Sequence, residues 1–192
     1  MARSGIIINI GSINIDEVFH VDDIVREGQT ISSRGFSRSN GGKGANQSVA
    51  VALAEGTVVH IGRVGRDGHH VVRAMRDAGV DVENVMVDDE AATGRAIIQV
   101  NSRGNNAIVL HPGTNHLLRR GEVVDAIEKI LRQASAASSS TEVVESGLAA
   151  SPAATSSGAR GDLPHYLLLQ NEVNGLPWLI THGKDLGTKC GL

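Results

Sequence analysis

The chain has 192 residues, of which 41% are hydrophobic and 20% charged, and its formal net charge at pH 7 is -3. This balance is typical of a globular domain with its own core and excludes a chain that is disordered throughout. It also leaves no basic stripe for a phosphate backbone, so we do not expect nucleic acid as a partner.

Cysteine and histidine usage narrows the chemistry further. A single cysteine, Cys190, excludes a disulfide framework and a cysteine metal cage, and the eight histidines lack zinc-type spacing, so no metal site is expected. The apolar run near the start is too short for a signal peptide or a membrane helix. We therefore expect a protein with no membrane partner, located in the cytoplasm, with the nucleus as a second location.

The first elements alternate between strand and helix. The apolar run at residues 5–11 predicts a buried strand of a parallel sheet, and residues 45–54 predict a helix covered by other layers. Residues 57–62 predict the next strand, and residues 68–80 predict an amphipathic helix that stops at Gly79. This order is typical of a doubly wound α/β fold.

The second half continues with a hairpin and a helix before its composition changes. Residues 95–111 predict two strands around the turn "SRGNN", and residues 121–136 predict a helix with one apolar face. Residues 135–162 are rich in serine, alanine and glycine, which predicts a flexible insertion. Residues 165–173 then predict a buried strand, and residues 176–187 a helix.

A glycine-rich stretch, "SNGGKGANQS", precedes the first predicted helix. It does not match a Walker A loop, because Lys43 is followed by Gly44, nor a dinucleotide fingerprint, because Gln47 replaces the third glycine. The glycosylation sequon that begins at Asn46 falls on a predicted buried helix, so we discount it. A plain glycine turn would leave Lys43 and Asn46 unexplained beside an otherwise apolar helix.

A second polar pair, Asn14 and Asp16, follows the first apolar strand. Ligands of open α/β sheets bind at the carboxyl ends of strands, and a helix start placed there adds backbone N–H donors. Carboxylate and amide oxygens accept from hydroxyls while lysine donates, so these residue types together suit a neutral polyol. The alternative for the pair is an ordinary strand-to-loop turn, which both residue types favour.

Four blocks of the sequence together resemble the ribokinase family of sugar kinases, also called PfkB carbohydrate kinases. These are the segment 11–56 that contains "GSINIDE" and "GGKGAN", then "IGRVGRDGHHVVRAMRDAGVDVENV", "TGRAIIQVNSRGNNAIVLHPGTN" and "LLLQNEV". They follow the family's order and cover the chain from residue 5 to residue 173, interrupted by the serine-rich insertion. The opening block is most similar to the members of the family that phosphorylate ribose.

The resemblance implies a three-layer α/β domain with a small β-sheet lid, here residues 17–39, that covers the sugar and in the family often forms a homodimer contact. It implies transfer of the γ-phosphoryl group of ATP, with Mg²⁺, to the primary hydroxyl of D-ribose, which gives ribose 5-phosphate. By position, the residues that would hold the hydroxyls of ribose or a similar small sugar are Asn14, Asp16, Gly42, Lys43, Asn46 and Glu172.

The sequence departs from the family after Glu172. The family's Asn-x-x-Glu motif, linked to magnesium and phosphate, does not follow, nor does the Gly-Ala-Gly-Asp motif that carries the catalytic base; "GARGD" at residues 158–162 is interpreted as chance. We therefore expect the C-terminal part of the domain, the general base and the ATP and Mg²⁺ residues to lie beyond Leu192, and the truncated chain to be inactive alone. The alternatives are a non-catalytic sugar-binding or dimer-capping half-kinase and a kinase of another sugar or nucleoside.

Overall fold

A computed structural model describes residues 5–140, 165–170, 172–174, 176–182, 185 and 188–191 of the chain. Within these residues, the strands are β1 (Ile7–Ile10), β2 (Asn14–Val21), β3 (Gly35–Gly41), β4 (Val58–Gly65), β5 (Val85–Asp88), β6 (Gly94–Asn101), β7 (Asn106–His111), β8 (His165–Leu169) and β9 (Thr188–Gly191). The helices are α1 (Lys43–Leu53), α2 (His69–Asp77), α3 (Arg120–Ser140) and α4 (Leu176–His182), with 3₁₀ turns at Arg66–Gly68 and Gly113–Leu117.

The strands form two sheets. A five-stranded sheet has the order β5-β4-β1-β8-β9, and each neighbouring pair in it is parallel. We call it the core sheet. A four-stranded sheet has the order β3-β2-β6-β7, in which β2 pairs parallel with β6 and the outer pairs are antiparallel. We call it the lid sheet.

The core sheet lies between two helical layers. Side chains alternate along a strand, so Ile8 and Ile10 of β1 face α3 and α4, in an apolar cluster with Ile61 and Ile127. On the opposite face, α1 and α2 pack through Ala45, Val71 and Met75 in a second cluster. This arrangement confirms the predicted three-layer α/β class, and it places the N-terminus of α1 beside the carboxyl end of β1.

Most predicted elements of the described residues have a counterpart in the structure. Gly79 has φ 95° directly after α2, as expected for a helix stop. The lid sheet holds β2 and β3, which overlap the two ends of the predicted lid at residues 17–39, and also the β6–β7 hairpin, whose place beside β2 had not been predicted. None of the helices within the described ranges is long and apolar enough to cross a membrane.

Asn14 and Asp16, predicted just beyond the first strand with a strand-to-loop turn as the alternative, lie in strand β2. Two further features differ from the sequence-based expectation. Helix α3 continues to Ser140, so it enters the predicted insertion, while residues 141–162, including "GARGD", lie outside the described residues. Strand β9 pairs with β8 in a tail where the sequence had predicted none, so the β8 edge is paired on both sides.

Candidate functional site

The connection between β1 and β2 contacts the start of α1 backbone to backbone. A Cβ atom on Gly11 would lie 2.6 Å from the Cα of Gly44, and one on Gly42, whose φ is 95°, would lie 2.5 Å from the carbonyl oxygen of Ser12. The N–H of Ala45 donates to that same oxygen at 3.0 Å. Only glycine fits both positions, so the β1–β2 connection and the start of α1 pack directly against each other, and Gly11 and Gly42 are both buried.

A buried polar network from strands β1 and β4 contacts the start of α1. The Nδ2 of Asn9 donates to the carbonyl of Gly44 and to the Oγ of Ser48, at 2.8 Å each, and that Oγ lies 2.8 Å from Nδ1 of His60. The other ring nitrogen, Nε2, lies 3.2 Å from the Gly11 carbonyl, which can only accept, so Nε2 carries the hydrogen. Burial lowers the pKa of His60 to about 4, although the Gly11 bond acts in the opposite direction, so the ring is neutral at pH 7.

Lys43 and Glu172 form an ion pair beside the β1–β2 connection. The Nζ of Lys43 lies 2.6 Å from Oε1 of Glu172, and Ser12 Oγ donates to Oε2 of the same carboxylate at 2.9 Å. The side chain of Lys43 is 68% exposed, and such a pair contributes at most about 1 kcal/mol to stability. The lysine can therefore exchange the carboxylate for a ligand at little cost to the fold.

Asp16 joins this group from the lid sheet. A Cβ on Gly41 would lie 2.1 Å from Oδ1 of Asp16, so the carboxylate occupies the space that a side chain at position 41 would take. Burial and then the charge of Glu172 raise the pKa of Asp16. The two carboxylates are thus close enough to repel each other, and a ligand that donates hydrogen bonds to both would relieve that repulsion.

Asn14 lies on the same face of β2 as Asp16, two residues earlier, and is almost fully buried. Its Oδ1 accepts a hydrogen bond of 2.8 Å from Nδ2 of Asn115, in the second 3₁₀ turn. Asn46 lies one turn along α1 from Lys43, is exposed, and its N–H donates to the carbonyl of Gly42 at 2.9 Å.

The structure therefore brings five of the six predicted residues to the junction of the β1–β2 connection, β2, β8 and the start of α1, and it places Asn46 at the edge of that junction. The sequence analysis missed two side chains that hold this connection: Gln170, whose Oε1 accepts the Ser12 N–H at 3.1 Å, and Asn115. Their backbone partners lie 158 and 102 residues away in the chain, so no local spacing could reveal them. For Gln170, the only available signal was a polar residue directly after an apolar strand.

Chemically, the junction offers carboxylate acceptors and an ammonium donor. Among the residues that the structure describes, no group of three or more His, Cys, Asp or Glu side chains could hold a metal ion. The arrangement suits a small neutral molecule with several hydroxyl groups.

Comparisons with known proteins agree with this description. The chain is 38% identical over 135 residues to the ribokinase of Schizosaccharomyces pombe, which covers 66% of this chain and 41% of that protein. It is 30% identical over 123 residues to the deoxyribokinase of Salmonella typhi, covering 63% of this chain and 40% of that protein. The structure matches the crystal structure of ribokinase from Cryptococcus neoformans in complex with ADP, with a TM-score of 0.68 and 33% identity, over 99% of this chain and 49% of that one.

Each of these matches covers only part of the relative's length. The chain spans less than half the length of the curated relatives that it matches. The family comparison nevertheless covers most of the chain, since residues 7–161 match the pfkB family of carbohydrate kinases. The chain therefore belongs to that family.

Proposed function

We propose that this protein is a ribokinase-type sugar kinase and that the junction described above binds D-ribose. The observation that carries the proposal is the facing pair of Lys43 and Glu172, 2.6 Å apart beside a glycine-lined backbone, with Asp16 close enough for its pKa to respond to Glu172. These groups supply hydrogen-bond donors and acceptors close together at one junction.

Each side chain has a distinct part in this proposal. The carboxylates of Asp16 and Glu172 accept hydrogen bonds from neighbouring sugar hydroxyls, and Lys43 donates one to a hydroxyl oxygen. The exposed side chain of Asn46 reaches the same ligand from the first turn of α1, and Gly42 lets the β1–β2 connection pack against the start of α1 beside Lys43. A vicinal diol satisfies the acceptors and the donors together.

Phosphoryl transfer needs more than this junction. The family's reaction takes the γ-phosphoryl group from ATP with magnesium and requires a base near the accepting hydroxyl. The described residues include no set of acidic side chains fit for a metal ion, and the sequence lacks the Gly-Ala-Gly-Asp motif. We derive no step through ATP or magnesium, and we propose that these 192 residues bind the sugar without turning it over alone.

Calorimetric titration of the chain with D-ribose tests the sugar site. We expect saturable binding that Asp16→Ala weakens by about 1 to 3 kcal/mol, because a hydroxyl partner of the carboxylate is lost. Asp77→Ala, at an exposed position of α2, removes the same charge away from the junction and should bind like the wild type. A folded wild-type chain that does not bind ribose would refute the proposal, and ADP release in a coupled assay would refute the inactivity of the isolated chain.

A second candidate is a half-kinase that pairs through the lid sheet, with itself or with a full-length relative. It is favoured by exposed apolar side chains on that sheet, among them Phe36 at 53% and Ile108 at 51% exposure. Light scattering after size exclusion would measure the mass. A monomer that stays monomeric in Phe36→Ser and in the wild type alike would count against this candidate, as would ribose turnover by the chain alone.

The sugar itself can be distinguished within the same assay. A 2-deoxyribose titration under identical conditions would show whether the site selects for the 2-hydroxyl. Tighter binding of 2-deoxyribose or of a nucleoside would shift the proposal to a kinase of that substrate.

A further inference from the structure

Asn115 makes three hydrogen bonds to one short segment of the chain. Its Oδ1 accepts the N–H of Ile13 at 2.9 Å, and its Nδ2 donates to the carbonyl of Ile13 at 3.3 Å and to Oδ1 of Asn14 at 2.8 Å. The side chain is 3% exposed, so water does not compete for these groups. This residue therefore clamps the point where the chain enters the lid sheet.

The polarity of this clamp follows from the backbone. A backbone N–H can only donate, so the atom of Asn115 that faces Ile13 N–H must be the oxygen, and the amide nitrogen must face Asn14. A nitrogen donor in turn requires the oxygen of Asn14 opposite it. The amide nitrogen of Asn14 is then the part of its head group left for a ligand.

Space for the pair depends on Gly94, which lies opposite Asn14 in the β2–β6 ladder. A Cβ at this position would lie 2.2 Å from Nδ2 of Asn115 and 2.4 Å from Oδ1 of Asn14. The two amides are therefore packed closely against the backbone of β6.

We infer that Asn115 is a positioning residue that fixes Asn14 as a hydrogen-bond donor toward the ligand. The inference rests on the proposed function, since the ligand is the sugar. The carboxylates of Asp16 and Glu172 accept hydrogen bonds, so a hydroxyl that donates to one of them presents only lone pairs to its other neighbours. A donor from Asn14 matches those lone pairs, whereas an acceptor in its place would face them unpaired.

Two isosteric exchanges test the polarity without any sugar. In Asn115→Asp, an oxygen replaces the nitrogen that faces the oxygens of Ile13 and Asn14. The Asn14 amide can turn over, but the Ile13 carbonyl then faces an acceptor. In Asn14→Asp, Asn115 still donates to an oxygen. We expect the melting temperature to fall clearly more in Asn115→Asp than in Asn14→Asp, although each adds one buried negative charge. The reverse order would overturn the inferred polarity.

Ribose titration then tests the positioning role. In Asn115→Asp, the amide of Asn14 is expected to turn its nitrogen to the introduced carboxylate and its oxygen to the ligand. We expect the Kd for ribose to rise on the order of tenfold to a hundredfold at pH 7.5. At pH 5, partial protonation of the introduced carboxylate gives it a donor, so the ratio of mutant to wild-type Kd should narrow. Asn105→Asp, at an exposed position of the β6–β7 turn, makes the same chemical change as a control.

The outcomes separate the inference from the proposed function. A folded Asn115→Asp protein with wild-type affinity, or with a Kd ratio that does not change with pH, would overturn the positioning role. If Asn115→Asp does not fold, Asn14→Asp decides, because it should fold and lose ribose affinity; wild-type affinity there overturns the inference. Wild-type protein that binds no ribose would refute the proposed function even where the melting temperatures confirm the polarity.

Discussion

His60 gives the most quantitative prediction, because its ring is fully buried in a neutral form under the start of α1. The pKa falls from 6.5 in an unfolded chain to about 4 in the fold, where burial disfavours the charged form. Between these values the unfolded chain binds a proton that the folded chain does not. Lowering the pH from 6.5 to 4 therefore removes stability, and raising it above 6.5 has no further effect through this residue.

The magnitude follows from the interval between the two pKa values. At about 1.4 kcal/mol per pH unit, the interval from 6.5 to about 4 corresponds to about 3 kcal/mol of unfolding free energy. Other groups titrate over the same range, so the contribution of His60 is measured as a difference. In His60→Gln the amide nitrogen can still donate to the Gly11 carbonyl, but nothing at this position titrates.

Urea unfolding at pH 7.5, 6.0 and 5.0 measures this difference. We expect His60→Gln to be less stable than the wild type at pH 7.5, because Ser48 Oγ loses its acceptor, and the gap to narrow by about 1 to 2 kcal/mol at pH 5.0. His111→Gln, at an exposed position of β7, should follow the wild type at each pH. A gap between His60→Gln and the wild type that stays constant with pH would refute a buried, neutral histidine.

Three further predictions concern the junction itself. Lys43→Met should weaken ribose binding by about 1 to 3 kcal/mol in calorimetry, while the free energy of unfolding changes by at most about 1 kcal/mol. Lys129→Met is the matched control. A large fall in the melting temperature of Lys43→Met would contradict an exchangeable surface pair. Gly42→Ala should cost at least about 2 kcal/mol more in urea unfolding than Gly104→Ala, because both have positive φ but only Gly42 lacks room for a Cβ. Equal costs would refute the close backbone approach. Because its pKa is raised, Asp16 should take up a proton at a higher pH than an ordinary aspartate does. As the pH is lowered toward 4, ribose affinity should therefore begin to fall at that higher pH, and Asp16→Asn should remove this pH dependence.

Much of the layer structure could be predicted because its signals are local. The continuous apolar run before Gly11 and the helical spacing of residues 121–136 depend only on neighbouring residues, and both became buried elements of the expected type. Strand β5 was missed for the complementary reason: its apolar run is only three residues long, which is too short to separate a strand from a loop.

In the candidate site, too, some features could be predicted from the sequence and others could not. Lys43 and Asp16 stood out because charged residues beside apolar elements are visible in a short window of sequence. The conformation of Asp16 could not be predicted, since the choice between turn and strand depends on pairing with β3 and β6. The role of Asn115 depends on its hydrogen bond to Asn14, which lies 101 residues earlier in the chain. Only the fold brings the two residues together, so the sequence alone could not show this contact.

The junction combines groups from both sheets. Asn14 and Asp16 belong to strand β2 of the lid sheet, whereas Glu172 follows β8 of the core sheet and Lys43 begins the helix packed on it. The only described link between these groups across the sheets that involves charge is the repulsion of Asp16 by Glu172. A sugar that donated a hydrogen bond to each carboxylate would offset that repulsion. Ligand binding should therefore stabilise the two sheets against each other.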